Sequence, residues 1–218
     1  MAEGGYDKDA TFVNVVQRVN CGHNPDPVDP TAVGQDISVY FTHFAYGGVD
    51  LILLEDRKFK TGPIGSLPDD PLELLGQRQE VMLDALAEDI TRPRVMFTQT
   101  MWACLETDET GRPMVVYDTN GWPVEGRLRA LSRVAAARGV IMSGDTHLAA
   151  LVRHSEGPVQ FCGPAASSSY ARWFEPHPPL PNPEPEEHTG DFIDGFGNEL
   201  RVLAVANPRV SQQFWLEN

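Results

Sequence analysis

Gly139-Val-Ile-Met-Ser-Gly-Asp-Thr-His147 is the stretch on which the fold turns. Val140, Ile141 and Met142 make an apolar run of the length of a short buried strand. A helical pattern precedes the run and stops at Gly139, and Gly144, Asp145, Thr146 and His147 follow it. Open α/β sheets hold ligands outside the carboxyl ends of their strands, so this order predicts a carboxylate and an imidazole at such an end. Gly144 allows a tight turn or a close backbone approach. Asp with a neutral His suits a divalent metal, or a general acid/base pair. The competing reading makes Asp145 the cap of a helix built from Leu148, Ala149, Ala150, Leu151 and Val152. On this motif alone the cap is favoured.

Upstream, Glu125 to Arg138 is an amphipathic helix with Leu128, Leu131, Val134 and Ala135 on one stripe. It feeds the 140–142 strand, so βαβ connectivity is expected. Asp118-Thr-Asn-Gly-Trp122-Pro123 is a loop, with Trp122 as hydrophobic plug or pocket wall. Arg94 to Thr100 is a strand with a polar end, Thr98, Gln99 and Thr100. Asp70-Pro71 opens a packing helix that carries Leu72, Leu75, Gln79, Met82, Leu83 and Leu86. Ile37 to Phe44 alternates like a strand, Tyr46-Gly47-Gly48 is a turn, and Val49 to Leu54 is a nearly continuous apolar run. Together they predict an antiparallel hairpin whose second strand is central and covered on both faces. That strand ends in Glu55-Asp56-Arg57-Lys58, read as a solvated end or as a charged cluster with Arg57 as an anion clamp.

Residues 4–36 read as an irregular entry, in which Phe12, Val13, Val15 and Val16 make one helical turn or a short strand. Downstream, Gln160 to Cys162 is a short strand before a turn, and Arg201 to Ala206 another. Six prolines among acidic residues make 176–188 a linker or surface loop and not a core element. Gln213 to Leu216 is a last short strand.

The 218 residues carry 17 basic and 31 acidic side chains, a formal charge of −14. That argues against broad nucleic-acid binding, which needs a basic surface. Cys21, Cys104 and Cys162 are far apart and odd in number, so a disulfide framework and a ribbon-type zinc site are not expected. No apolar run approaches the roughly 18 residues of a membrane span, and the first residues lack the pattern of a signal peptide.

Four of these pieces occur together in one family. Leu53-Leu-Glu-Asp-Arg57-Lys-Phe-Lys resembles the "L-D-x-R-x-[YF]" strand end of PhoD-like alkaline phosphatases. Leu74-Leu-Gly-Gln-Arg-Gln79 resembles their "L-G-x-x-Q" helix start. Asp118 to Arg127 resembles a variant of their "D-x-W-x-G-Y-x-x-x-R" loop, and Gly144-Asp-Thr-His147 their "G-D-x-H". Four motifs in order are far more specific than any one of them.

The resemblance implies an α/β (α+β) fold, part of the αββα two-sheet sandwich of calcineurin-like metallophosphoesterases, a mixed sheet with flanking helices. It implies an entry segment at 1–36, a phosphatase half-domain at 37–175, a Pro-rich acidic loop at 176–190 and a closing strand segment of the same domain at 191–218. The implied activity is metal-dependent hydrolysis of phosphomonoesters and phosphodiesters, on small-molecule substrates, in exported or periplasmic proteins. The implied cofactors are divalent ions: iron, calcium, zinc or manganese. His147 and Asp145 are the implied catalytic and metal residues, and Gln99 stands where a further ligand is expected. Arg57, Asn120, Trp122 and Arg127 are candidates for holding phosphate or ordering the pocket.

The family draws most of its ligands from an earlier half, with Asp-x-His, Gly-Asp-x-x-[Asp/Tyr] and Asn-His-Asp motifs. None of these stands upstream of Gly144-Asp145 here, and the one other Gly-Asp pair, Gly190-Asp191, lies in a late loop. Each ion needs about four to six donors. The chain is therefore expected to resemble the carboxyl-terminal half and to need an amino-terminal half for a full site. The rival expectations are a catalytically incompetent half-domain and a non-enzymatic metal- or phosphate-binding protein.

Overall fold

The computed structural model describes residues 8–63, 71–164 and 172–207. Along the chain lie α1 (Ala10–Cys21), β1 (Thr42–Tyr46), β2 (Val49–Leu53), α2 (Gly76–Ala87), β3 (Arg94–Phe97), α3 (Val124–Ala136) and β4 (Gly139–Ser143). They are followed by β5 (Ala149–His154), β6 (Val159–Cys162), β7 (Gly190–Ile193) and β8 (Glu199–Ala206). The strands form one mixed sheet in the order β1-β2-β3-β4-β6-β5-β8-β7. β2, β3, β4 and β6 run parallel at its centre. β1 pairs antiparallel with β2, and β5, β8 and β7 add antiparallel strands beyond β6.

The hairpin forms as expected, because Gly47 and Gly48 take φ of 59° and 82°, the primed geometry that matches strand twist. The β3–α3–β4 unit is the expected βαβ crossover. α3 ends at Ala136, and Arg138 with φ 53° turns the chain into β4.

The two faces of the sheet differ. Ile52, Met96, Ile141 and Gln160 form one row across β2, β3, β4 and β6, all 0% exposed. α2 and α3 cover this face with Leu83, Leu131 and Val134. A second cluster, with Met101, Val152, Phe174, Phe192 and Val202, lies toward β5, β7 and β8. The next row, Leu53, Phe97, Met142 and Phe161, points to the other face. There Phe97, Met142 and Phe161 are 39%, 37% and 43% exposed. Among the described residues, one face is a core and the other is open.

Several expectations change. β2 is not covered on both faces: Val49, Leu51 and Leu53 are only half-buried, while Asp50 and Ile52 point into the core. Leu148 to Val152 is not a helix, so Asp145 has no helix there to cap. The segment enters β5, whose Ala150, Val152 and His154 alternate into the core and whose backbone pairs with β6 and β8. A five-residue apolar run does not separate the two readings locally.

The entry segment holds a twelve-residue helix, longer than a turn. Asp9 caps it by accepting from Phe12 N at 3.0 Å. It docks through amides: Asn14 Oδ1 accepts from Ser38 N at 2.8 Å, and Gln17 Nε2 donates to Ser38 Oγ at 2.9 Å. Phe12, Val15, Val16 and Val19 face outward.

Ile37, Val39 and Phe41 alternate into the core as their pattern implies, but the regular strand begins only at Thr42. α2 starts at Gly76, after Leu75 and without a side-chain cap. Leu72 and Leu75 therefore precede the helix, and the Asp70 cap lies outside the described residues. Leu74 and Leu75 are fully buried in the approach to α2. The Gln213–Leu216 strand and most of 165–173 also lie outside the described residues. Cys104 and Cys162 are buried and Cys21 half-buried, all as free thiols. Among the described residues no helix is long and apolar enough to cross a membrane.

Candidate functional site

The carboxyl ends of β2, β3 and β4 bring three loops together. After β2 the chain places Glu55 and Asp56 inside the protein, 6% and 0% exposed. Gln79 on α2 grips the Glu55 backbone, accepting from its N at 2.8 Å and donating to its O at 2.7 Å. Glu55 Oε1 accepts from Arg57 N at 2.9 Å and Gln99 Nε2 at 2.7 Å.

Asp56 is the knot of this edge. Its carboxylate accepts from Gln99 N at 3.1 Å, Trp102 Nε1 at 3.1 Å and Asn120 Nδ2 at 2.7 Å. One buried side chain thus ties the end of β2 to the chain after β3 and to the 118–123 loop. Burial pushes its pKa up to about 6, against the hydrogen bond from Trp102.

After β4, Asp145 and His147 take φ of 54° and 60°. Left-handed backbone is uncommon outside glycine, though Asp and His visit it more than most. Such conformations cost on the order of 1–3 kcal/mol each and persist where surroundings enforce them. Thr146 does so between them: it is 1% exposed, its Oγ1 lies 3.2 Å from Thr100 Oγ1, and it accepts from Met101 N at 3.3 Å. With Thr146 pinned inward, the flanking side chains meet, and His147 Nε2 stands 3.7 Å from Asp145 Oδ1.

Arg57 reaches the same place. Its Nη1 donates to Asp118 O at 2.7 Å and lies 3.2 Å from Asp118 Oδ1, and its Nη2 is 3.6 Å from Asp145 Oδ2. Arg172 closes the group. Its backbone N donates to His147 O at 3.3 Å, and its guanidinium lies 3.9 Å from Asp118 and 3.3 Å from Glu106. Lys60 donates to the carbonyls of Tyr117 and Thr119 at 2.9 and 2.8 Å, and burial lowers its pKa to about 8. A cationic guanidinium, a carboxylate and an imidazole thus converge at one strand edge, chemistry suited to an anion and to a metal.

The structure therefore joins Arg57, Asp145 and His147 directly. Gln99 is exposed at the same edge, its amide N–H engaged by Glu55. Asn120 is fully buried beneath it, donating to Asp56. Trp122 donates to Thr61 O at 3.1 Å and packs edge-on against Tyr117, next to Phe196. Arg127 is also fully buried; its Nε donates to Trp102 O at 2.5 Å and its Nη2 bonds His154 Nδ1 at 2.9 Å. Asn120 and Arg127 thus sit within the scaffold, and neither meets solvent. Sequence reasoning passed over Thr146, His154, Gln160 and Arg172. Thr146 lay inside the key motif, and the other three carry no local signal.

Asp145 and His147 offer two donors of the right kind for a divalent ion. Among the described residues, no group of three or more His, Cys, Asp or Glu side chains stands together to hold one. A full coordination sphere needs donors from elsewhere.

No protein-family model matches the chain, and no curated protein matches it. A search of solved structures finds a similar chain in a structure titled "Structure of PhoD", with a TM-score of 0.53 and 19% identity. The match covers 77% of this chain and 37% of that one, so this chain spans well under half the length of its structural neighbour. At that identity the likeness is one of fold: the mixed eight-stranded sheet with its helices is PhoD-like.

Proposed function

We propose that this chain forms part of a metal-dependent phosphoester hydrolase, with its site at the carboxyl edge of β2, β3 and β4. The observation that carries the reading is the meeting of Arg57, Asp145 and His147 there, in a PhoD-like fold. His147 and Asp145 hold the metal, with Gln99 as a further ligand at the same edge. A bound divalent ion polarises phosphoryl oxygens and lowers the pKa of a bound water. Arg57 meets the negative charge of the phosphoryl group. Asp118 orients Arg57, Thr146 holds the loop, and Asp56 with Asn120 fixes the strand ends. Arg127 and Trp122 order the pocket wall from behind. The substrate class is a small phosphomonoester or phosphodiester.

Three donors do not complete the site, so the remaining ligands come from a polypeptide layer that packs on the open face of the sheet. The exposed row of Phe97, Met142 and Phe161 supports this, since contiguous apolar surface of that kind marks contact sites. The shortage of ligands also favours a second reading, a non-enzymatic half-domain that binds phosphate through Arg57.

The test is elemental analysis with bis-p-nitrophenyl phosphate hydrolysis, on the 218-residue chain alone and with upstream sequence joined to it. Bound metal and turnover only in the longer protein support the proposal. Stoichiometric metal and turnover in the chain alone remove the need for a second layer. Neither metal nor turnover in both leaves the second reading. A His147→Ala change that keeps metal content and activity removes His147 from the site.

A further inference from the structure

A directed chain of buried side chains runs from α3 to the last residue of β4. Arg127 Nη2 is 2.9 Å from His154 Nδ1, His154 Nε2 is 2.9 Å from Gln160 Oε1, and Gln160 Nε2 is 2.9 Å from Ser143 Oγ. Arg127 and Gln160 are 0% exposed and His154 1%. Ser143 immediately precedes Gly144-Asp-Thr-His147.

The polarity of each link follows from chemistry. A guanidinium has donors and no acceptor, so His154 Nδ1 accepts and carries no proton. The ring is then neutral with its hydrogen on Nε2, which donates to Gln160 Oε1. Trp102 N donates to the same oxygen at 3.1 Å. With its oxygen held by two donors, Gln160 turns its NH2 to Ser143 and donates to Oγ. Ser143 is left as acceptor from Gln160, with its own proton free for a different acceptor. Burial and the Arg127 charge keep His154 unprotonated, holding its pKa down to about 3.

We propose that Arg127, His154 and Gln160 are positioning residues that set the orientation of Ser143 and, through it, the placement of Asp145 and His147. The inference rests on reading Asp145 and His147 as the metal-facing pair. Two features separate the chain from ordinary core packing. Among the described residues Arg127 stands in no ion pair, and its Nη1 is buried with no hydrogen-bond partner. A lone buried guanidinium is a costly way to stabilise a core. The chain also ends at the residue from which the left-handed loop departs. Partners behind metal ligands orient them in this way.

The experiment is ring and backbone 15N NMR on the labelled 218-residue chain at pH 7.5, which reads the placement of the 144–147 loop without any bound metal. Wild type is expected to show His154 as the Nε2–H tautomer; an Nδ1–H tautomer overturns the proposal even if no variant folds. Gln160→Leu is expected to shift the His147 ring signals and the backbone amide signals of Gly144 to His147. Leu83→Ala, a buried change on α2 away from the chain, is expected to do neither. Unchanged His147 ring and 144–147 amide signals in folded Gln160→Leu, or equal effects in Leu83→Ala, show a merely structural role and overturn it. None of these readouts requires turnover, so loss of the hydrolase reading and loss of this one are told apart.

Discussion

Arg57 Nη2 stands 3.6 Å from Asp145 Oδ2, which links the end of β2 to the loop after β4 across the intervening β3. The Asp145 side chain is 59% exposed and that of Arg57 25%. An ion pair so open to water contributes little to folding. Arg57→Gln is expected to change the unfolding free energy by less than about 1 kcal/mol in urea titrations. In protein that hydrolyses bis-p-nitrophenyl phosphate, the same change is expected to lower kcat/KM by about 100-fold. A large stability loss with unchanged turnover would make Arg57 a structural clamp.

Asp56 predicts a limb in the pH dependence of stability. Its folded pKa, about 6, lies above its ordinary 3.8. The folded state therefore holds the proton more tightly than the unfolded chain. The stability this supplies is fully present below pH 3.8 and is lost as pH rises through 6. The two pKa values correspond to about 3 kcal/mol at most. Asp56→Asn removes that limb. It also leaves one oxygen facing three donors, so it is expected to be less stable at pH 5. Urea midpoints at half-unit steps from pH 4 to 7 check both; an unchanged slope in the variant refutes the assignment.

His154 acts in the opposite direction. Burial lowers its pKa from 6.5 to about 3. A depressed histidine contributes stability that is present above pH 6.5 and lost as pH falls toward 3. The upper bound is about 5 kcal/mol. His154→Gln is expected to flatten the acid limb while costing about 1–3 kcal/mol at pH 7.5, through the buried hydrogen bonds it disturbs. Acid titration followed by near-ultraviolet circular dichroism measures this, and an acid midpoint that does not move counts against it.

The open sheet face predicts a contrast between aromatic residues. Phe97 and Phe161 are 39% and 43% exposed, whereas Phe174 is 0% exposed and packs edge-on against Phe192 at 5.0 Å. Phe174→Ala is expected to cost about 3–5 kcal/mol. Phe97→Ser and Phe161→Ser are each expected to cost less than about 1 kcal/mol in the isolated chain. The doubly substituted protein is expected to sediment as a smaller species than wild type at high concentration, because the apolar patch is broken. Equal sedimentation of the two would mean that the face does not associate.

Local pattern carried much of this protein. The turn at Gly47-Gly48 follows from the need for positive φ, and β4 after α3 from the switch between helical and strand periodicity at Gly139. The convergence of Arg57, Asp145 and His147 was legible because each ends or follows an apolar strand run, and parallel strands send their ends to one edge. Burial was not legible. Asn120 and Arg127 read as pocket residues, yet the Asp56 carboxylate and the His154 ring hold them inside, partners 64 and 27 positions away.

Leu148 to Val152 became a strand because β6 and β8 offer backbone partners on both sides. α1 was underestimated because its polar side, not its apolar one, faces the protein. Sequence determines what each segment can pair with over a few residues, through periodicity, caps and turns. Which distant group meets a given side chain, and whether water is excluded there, is decided by tertiary packing alone. Burial and charge pairing depend on every element that closes around the group.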